Sequence, residues 1–142
     1  MKQEQIDEIR DFNRFYAKVI GLLDKTFLNS EYSLTEVRVL LEIYKQSGIL
    51  ANDIMNSLQI DKGYLSRILK KFEKKQMITK KQSDTDRRAI YLELTEFGKK
   101  EFLEVDTATN LQIDTIFSHF SEAEQQTLIE NMNKIKNILQ KK

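Results

Sequence analysis

Asp61 to Arg88 reads DKGYLSRILKKFEKKQMITKKQSDTDRR, and the rest of the chain is best understood outward from it. Ten of these residues are Lys or Arg and four are Asp or Glu, a formal +6 within a chain of +1. The other 114 residues therefore carry −5, with 13 basic and 18 acidic side chains. A near-neutral total hides a polarised molecule, and a basic block on an acidic body is the electrostatic footprint of a nucleic-acid reader. Within the block, Asp61 is a good N-cap for a helix over Lys62 to Lys75 with Leu65, Ile68, Leu69 and Phe72 on one face. After Gln76 the apolar period changes from helical to two. That predicts strands over Met77 to Lys81 and Ala89 to Leu94, the latter with Ile90, Leu92 and Leu94 inward, around a polar hairpin loop from Gln82 to Arg88.

The flanks are helical. Upstream, Ala51 to Leu58 is a short helix, and Gln59-Ile60 is a tight turn into the basic helix. Before that, Ser33-Leu34-Thr35-Glu36 opens a helix with Val37, Leu40, Leu41 and Tyr44 as its stripe, ended by Gly48. From Ile6 to Leu28 the apolar stripe is helical but too wide for one contact, which predicts burial on two sides, as in a subunit interface. The pattern breaks at Asn29 to Tyr32. Downstream, Thr95 is an N-cap for a helix reaching Phe117, and Ser121 to Glu124 is a capping box for a last helix striped by Leu128, Met132, Ile135 and Leu139. The expected fold is mainly α with a small β-wing. Residues 33–95 would form a winged helix-turn-helix lobe, and 1–32 with 96–142 a helical dimerisation region.

Composition narrows the function classes. The chain has 142 residues, which is one domain or one unit with two lobes. It has no Cys, so thiolate metal sites and thiol redox chemistry are excluded. With one His and no Cys, acyl-transfer triads are nearly excluded, and there is no Gly-rich phosphate loop, so no enzyme activity and no cofactor are expected. No apolar run approaches the roughly 20 residues that cross a bilayer, and the polar N-terminus does not look like a signal peptide, so no membrane partner and a cytoplasmic location are expected.

Two short helices joined by a turn, the second basic, make a helix-turn-helix, and a major groove about 12 Å wide admits one such helix. Lys62, Tyr64, Ser66 and Arg67 would face bases, with Arg67 the best candidate for a bidentate contact to guanine. Gly63 permits close approach, and Lys70, Lys71 and Lys74 suit phosphates. A hairpin directly after the basic helix adds weight. An Arg at its tip suits the minor groove, and a neighbouring Asp can orient the guanidinium, which singles out Asp86, Arg87 and Arg88.

SLTEVRVLLEI, then DIMNSLQIDKGYLSRILKKFEKKQMI, then SDTDRRAIYLELTEFGKK resemble the winged helix-turn-helix core of MarR-type transcriptional regulators, over about Leu34 to Phe102. The opening helix and the IDKGYLSRILKKFE segment are also similar to the regulator half of bacterial proteins that fuse this module to an acetyltransferase; no acetyltransferase is expected in this chain. The resemblance implies a bacterial homodimer on a palindromic operator of double-stranded DNA. Asp86 would position Arg88 in the minor groove, with Arg87 nearer the backbone. It also implies release of DNA by a small aromatic or phenolic effector bound between the lobes, for which Phe12, Phe15 and Tyr16 are candidate pocket walls, although the bare pattern reads them as dimer core. Two positions depart from the family pattern. Leu50-Ala51 stand where a hydroxyl usually caps the short second helix, and loss of a cap costs about 1 kcal/mol unless Asn52 substitutes. Gln76 stands where Gly usually ends the recognition helix, and a left-handed backbone there would be strained by about 1 kcal/mol.

His119 reads as a structural or solvated residue, and Glu101, Glu104 and Asp106 as a solvated helix face. The function expected is a DNA-binding transcriptional regulator, a repressor relieved by a ligand. The alternative is a helical interaction protein, or the regulatory subunit of a separate enzyme, that has lost operator binding.

Overall fold

A computed structural model describes residues 1–21 and 30–141. Among them are six helices and a three-stranded antiparallel sheet. The order is α1 (Gln3–Val19), α2 (Leu34–Lys45), β1 (Ile49–Leu50), α3 (Ala51–Leu58), α4 (Lys62–Lys74), β2 (Ile78–Gln82), β3 (Ile90–Leu94), α5 (Glu96–Phe117) and α6 (Glu122–Leu139). The chain divides into two compact units, one of residues 21–108 and one of 1–20 with 109–142.

The first unit holds the core. Tyr32, Val39, Leu40, Ile43, Ile54, Leu65, Ile68, Leu69, Phe72, Met77, Leu92 and Phe102 are among the buried residues of a single cluster. Its helices start where local chemistry predicts. Ser33 Oγ accepts from the Glu36 amide at 3.2 Å while Glu36 Oε2 accepts from the Ser33 amide at 3.0 Å, closing a capping box on α2. The α2 stripe, however, is rotated from the expected one. Val39, Leu40 and Ile43 are buried and Tyr44 is exposed, its ring instead tilted against that of Phe102 with centroids 4.6 Å apart. The short helix α3 starts after Leu50 with no side-chain cap, so Asn52 does not replace the missing hydroxyl.

The sheet has the order β1-β3-β2. Strand β1 was not expected. Its two residues pair with β3, Ile49 with Leu92 and Leu50 with Tyr91, and this ties the start of α3 to the wing. The β2–β3 hairpin begins one residue later in each strand than the sequence suggests, with Ile78 opposite Leu94 and Gln82 opposite Ile90. Leu92 is the fully buried member of the inward trio. Ile90 is exposed, because the hairpin has by then extended beyond the core.

Helix α5 makes a close approach to Met77, the residue before β2. Gly98 is buried, and a Cβ there would lie 2.0 Å from the Met77 carbonyl oxygen, so no larger residue fits without moving backbone. Thr95 caps the helix as expected. Its Oγ1 accepts from the Gly98 amide at 3.0 Å and its hydroxyl donates to the Gln76 carbonyl at 2.7 Å.

In the other unit, α1 ends at Val19, with Gly21 at φ +68°, so the helix is shorter than the expected Ile6 to Leu28. Leu22, Leu23 and Phe27, counted in that stripe, and Asn29, counted in the break after it, lie outside the described residues. Helix α6 starts at its capping box, with the Glu124 amide donating to Ser121 Oγ at 3.3 Å and the Ser121 amide to Glu124 Oε2 at 2.9 Å. The Glu124 carboxyl is held below its usual range by the bonds that the Ser121 amide and hydroxyl donate to it. No described residue of this unit is buried. The α6 stripe is therefore not a core within one chain: Met132, Ile135 and Leu139 are exposed.

Candidate nucleic-acid interface

Helix α4 is fixed at both ends by its own sequence. At the start, Asp61 Oδ1 accepts from the Tyr64 amide at 2.8 Å. Gly63 leaves room for that carboxylate, since a Cβ would come within 3.2 Å of Asp61 Oδ1. The turn before the helix closes through Gln59 in the left-handed region, φ +53°. At the far end Gln76 is left-handed too, φ +59°, a conformation that Gly adopts at less cost. The chain then returns through the Met77 amide, which donates to the Phe72 carbonyl at 2.9 Å.

The inner face of α4 buries Leu65, Ile68, Leu69 and Phe72, as the spacing predicts. Lys62, Gly63, Ser66, Arg67, Lys70 and Lys74 lie exposed on the remaining surface. Tyr64 is half-buried against the core, and the Arg67 guanidinium lies 5.6 Å from its ring centroid. Lys71 was expected at phosphate but is held from below. Its Nζ is 2.9 Å from both carboxylate oxygens of Glu36 and 5.6 Å from the Tyr32 ring. Lys75 pairs with Glu31 and lies 5.1 Å from the same ring. The Lys75 ammonium holds the Glu31 carboxyl below its usual range. Lys80 of β2 reaches Glu73 at 2.9 Å.

Tyr32 is thus a platform under the end of the helix, and it is itself anchored. Its hydroxyl donates to Glu101 Oε2 at 2.7 Å, and its ring meets Phe72 edge-on at 6.2 Å. Burial, then the Glu101 carboxylate, pushes its ionisation far above the usual tyrosine range. Glu101 is therefore not part of a purely solvated face. The sequence places Tyr32 only in a break between helices and gives no sign of its partners.

The wing carries its own scaffold. Ser83 Oγ accepts from the Thr85 and Asp86 amides at 3.3 Å each, and Gln82 Nε2 donates to the Arg87 carbonyl at 2.6 Å. Asp86 Oδ1 accepts from the backbone amide of Arg88 at 2.9 Å. Asp86 thus shapes the backbone under Arg88 rather than gripping its guanidinium, and both arginines are exposed. Three of the ten cations in Asp61–Arg88 are tied to carboxylates of the chain, namely Lys71, Lys75 and Lys80. Among the described residues the other seven, Lys62, Arg67, Lys70, Lys74, Lys81, Arg87 and Arg88, have no carboxylate partner and are all exposed. They share one helix and one hairpin.

The remaining candidates fare differently. Of the aromatic trio on α1, Tyr16 borders a cleft of about 390 Å³ with Ile113, Phe117, Leu128, Ile129 and Met132. Phe12 stacks on Tyr16 at 5.8 Å, and Phe15 is exposed. His119 is exposed and lies 4.0 Å from the Phe120 ring. Among the described residues no group of carboxylates and His could hold a metal, and no helix is long and apolar enough to cross a membrane.

Residues 32–90 match the MarR family model. The HTH-type transcriptional regulator BilQ of Clostridioides difficile is 26% identical over 99 residues, 70% of this chain and 67% of BilQ. The chain spans 55–67% of the length of the curated relatives it matches. Among solved structures, FabT of Streptococcus pneumoniae in complex with DNA aligns over 97% of both chains, with a TM-score of 0.76 at 19% identity. PcaV of Streptomyces coelicolor in complex with its natural ligand aligns over 91% of this chain and 89% of its own, with a TM-score of 0.67 at 12% identity. Residues 32–90, the helix-turn-helix with most of its wing, thus form a MarR-family domain.

Proposed function

We propose that this MarR-family protein is a homodimeric repressor that reads a palindromic site in double-stranded DNA. The observation that carries the reading is the separation of the basic block into three tethered cations and seven exposed ones without a carboxylate partner among the described residues. The tethered ones tie α4 to Glu31, to Glu36 of α2 and to the wing, and the free ones are left for phosphate and bases. Lys62, Ser66 and Arg67 are assigned to base edges, Lys70 and Lys74 to phosphate, and Arg88 to the minor groove with Arg87 on the backbone beside it. Lys71 is assigned to mounting rather than to DNA.

The dimer is supported by what lies uncovered. Ile9, Phe12, Phe15, Leu111, Ile113, Ile135 and Ile138 are exposed in a unit with no buried residue among those described, and an apolar surface of that kind calls for a partner. Residues 1–32 and 96–142 are assigned to dimerisation and 33–95 to reading DNA. A second copy would set two recognition helices about one DNA turn apart, roughly 34 Å. The reading includes release by a small aromatic or phenolic effector. Its support is the ligand-bound neighbour PcaV and the volume of the Tyr16 cleft, which suits a small molecule. The working compartment is the bacterial cytoplasm, where operator DNA is.

Selection of bound duplexes from a random pool tests the reading. An inverted repeat with half-sites about 10 base pairs apart is expected. Recovery of no common site would overturn it in favour of a protein-interaction role. Equilibrium sedimentation is expected to give a dimer, and a stable monomer at micromolar concentration would overturn that part.

A further inference from the structure

We propose that Tyr64 is a positioning residue for specificity: its half-buried ring is a fixed platform that holds the Arg67 guanidinium ready for a base edge. The inference rests on the DNA-reading function proposed above and deepens it. Arg67 is the arginine among the exposed cations of α4, and a planar five-donor fork is suited to bidentate recognition. A free arginine at a helix surface samples many rotamers, and ordering it on binding offsets part of the contact. Here the surroundings reduce that cost. The Tyr64 amide is bonded to the Asp61 cap, its ring packs against the core cluster, and so its face is fixed relative to the helix start. Arg67 follows three residues later, the spacing at which helix side chains meet. Its guanidinium sits 5.6 Å from the ring centroid, within cation–π range. Among the described residues Arg67 has no carboxylate partner to compete with a base. The half-buried state of Tyr64 also argues that it acts through Arg67 rather than by touching DNA itself.

The probe is a duplex carrying the site that the wild-type protein selects, together with single-base variants at each position. Discrimination is the ratio of affinities between them. Tyr64→Leu keeps apolar bulk against the core and removes the ring face. It is expected to lower discrimination about three- to fivefold at one position per half-site, with the salt dependence unchanged. Tyr64→Phe keeps the ring and is expected to retain full discrimination. In an Arg67→Ala background, Tyr64→Leu is expected to add nothing at that position. The role of Tyr64 is overturned if its loss persists in the Arg67→Ala background, if Tyr64→Phe is as harmful as Tyr64→Leu, or if Tyr64→Leu weakens all sequences equally. Should Tyr64→Leu unfold, the comparison of Tyr64→Phe with wild type in both backgrounds still decides between ring and hydroxyl. A wild-type protein that selects no site refutes the DNA reading, whereas a selected site without coupling refutes only the positioning role.

Discussion

The ammonium of Lys71 lies 2.9 Å from each carboxylate oxygen of Glu36, the same carboxylate that closes the capping box of α2. One side chain thus starts a helix and carries the next-but-one helix. Lys70 and Lys71 are neighbours with opposite assignments, and this contrast is testable. Lys71→Ala should lower stability by about 1 kcal/mol, since the pair is only partly shielded, and leave the salt slope of DNA binding unchanged. Lys70→Ala should leave stability within about 0.5 kcal/mol and reduce the slope by about one counterion. Denaturant unfolding and binding isotherms at several salt concentrations measure both.

Gln76 holds a left-handed backbone at the end of α4. Its role there is conformational, because the Thr95 hydroxyl bonds its carbonyl and not its side chain. Gln76→Gly should therefore raise stability by about 1 kcal/mol, read as a higher urea midpoint at unchanged slope.

Gly98 should tolerate nothing larger. An alanine Cβ would meet the Met77 carbonyl oxygen at 2.0 Å, and Met77 is bonded on both sides, to Phe72 and to Thr95. Gly98→Ala should cost about 3 kcal/mol, because backbone rather than a flexible side chain must move. Thermal unfolding would show it, and an unchanged midpoint would contradict the close approach of α5 to the wing.

Tyr32 and Glu31 give the pH dependence opposite signs. The Tyr32 hydroxyl ionises far above its usual value near 10.0 in the folded chain. Its contribution is complete below about pH 10 and is lost as pH rises beyond that. Tyr32→Phe should destabilise by about 2 kcal/mol at neutral pH, with the gap to wild type closing above pH 10. Glu31, held below its usual 4.5 by Lys75, contributes above that value and loses its contribution as pH falls. Urea midpoints of wild type and variant across alkaline pH would separate the Tyr32 effect from the other tyrosines.

What could be read from the sequence was local. Ser33 with Glu36, Asp61, Thr95, and Ser121 with Glu124 announce helix starts because a cap acts within three or four residues. The buried face of α4 follows from spacing alone. Gly21 after Lys18 was also a legible stop signal, but the continuing apolar run masked it. Strand β1 was out of reach, since two residues have no period, and Ile49 is a strand only because Leu92 lies beside it. The Lys71–Glu36 and Tyr32–Glu101 pairs join residues 35 and 69 apart, so the division of the basic block into mounting and free cations needed the fold. The rotated α2 stripe has the same cause, since Val39 and Ile43 are chosen by the neighbours α2 packs against.

The uncovered faces of α1, α5 and α6 have a consequence for the life of the chain. Side chains such as Ile9, Phe15, Leu111 and Ile138 on a single newly made copy are a hazard for clumping as much as a surface for pairing. In the dimer proposed above, the second copy that covers them would guard against clumping as well as space the recognition helices. On that proposal, a shortage of copies would leave apolar faces open on lone chains, and dilution would promote clumping as well as weaken binding.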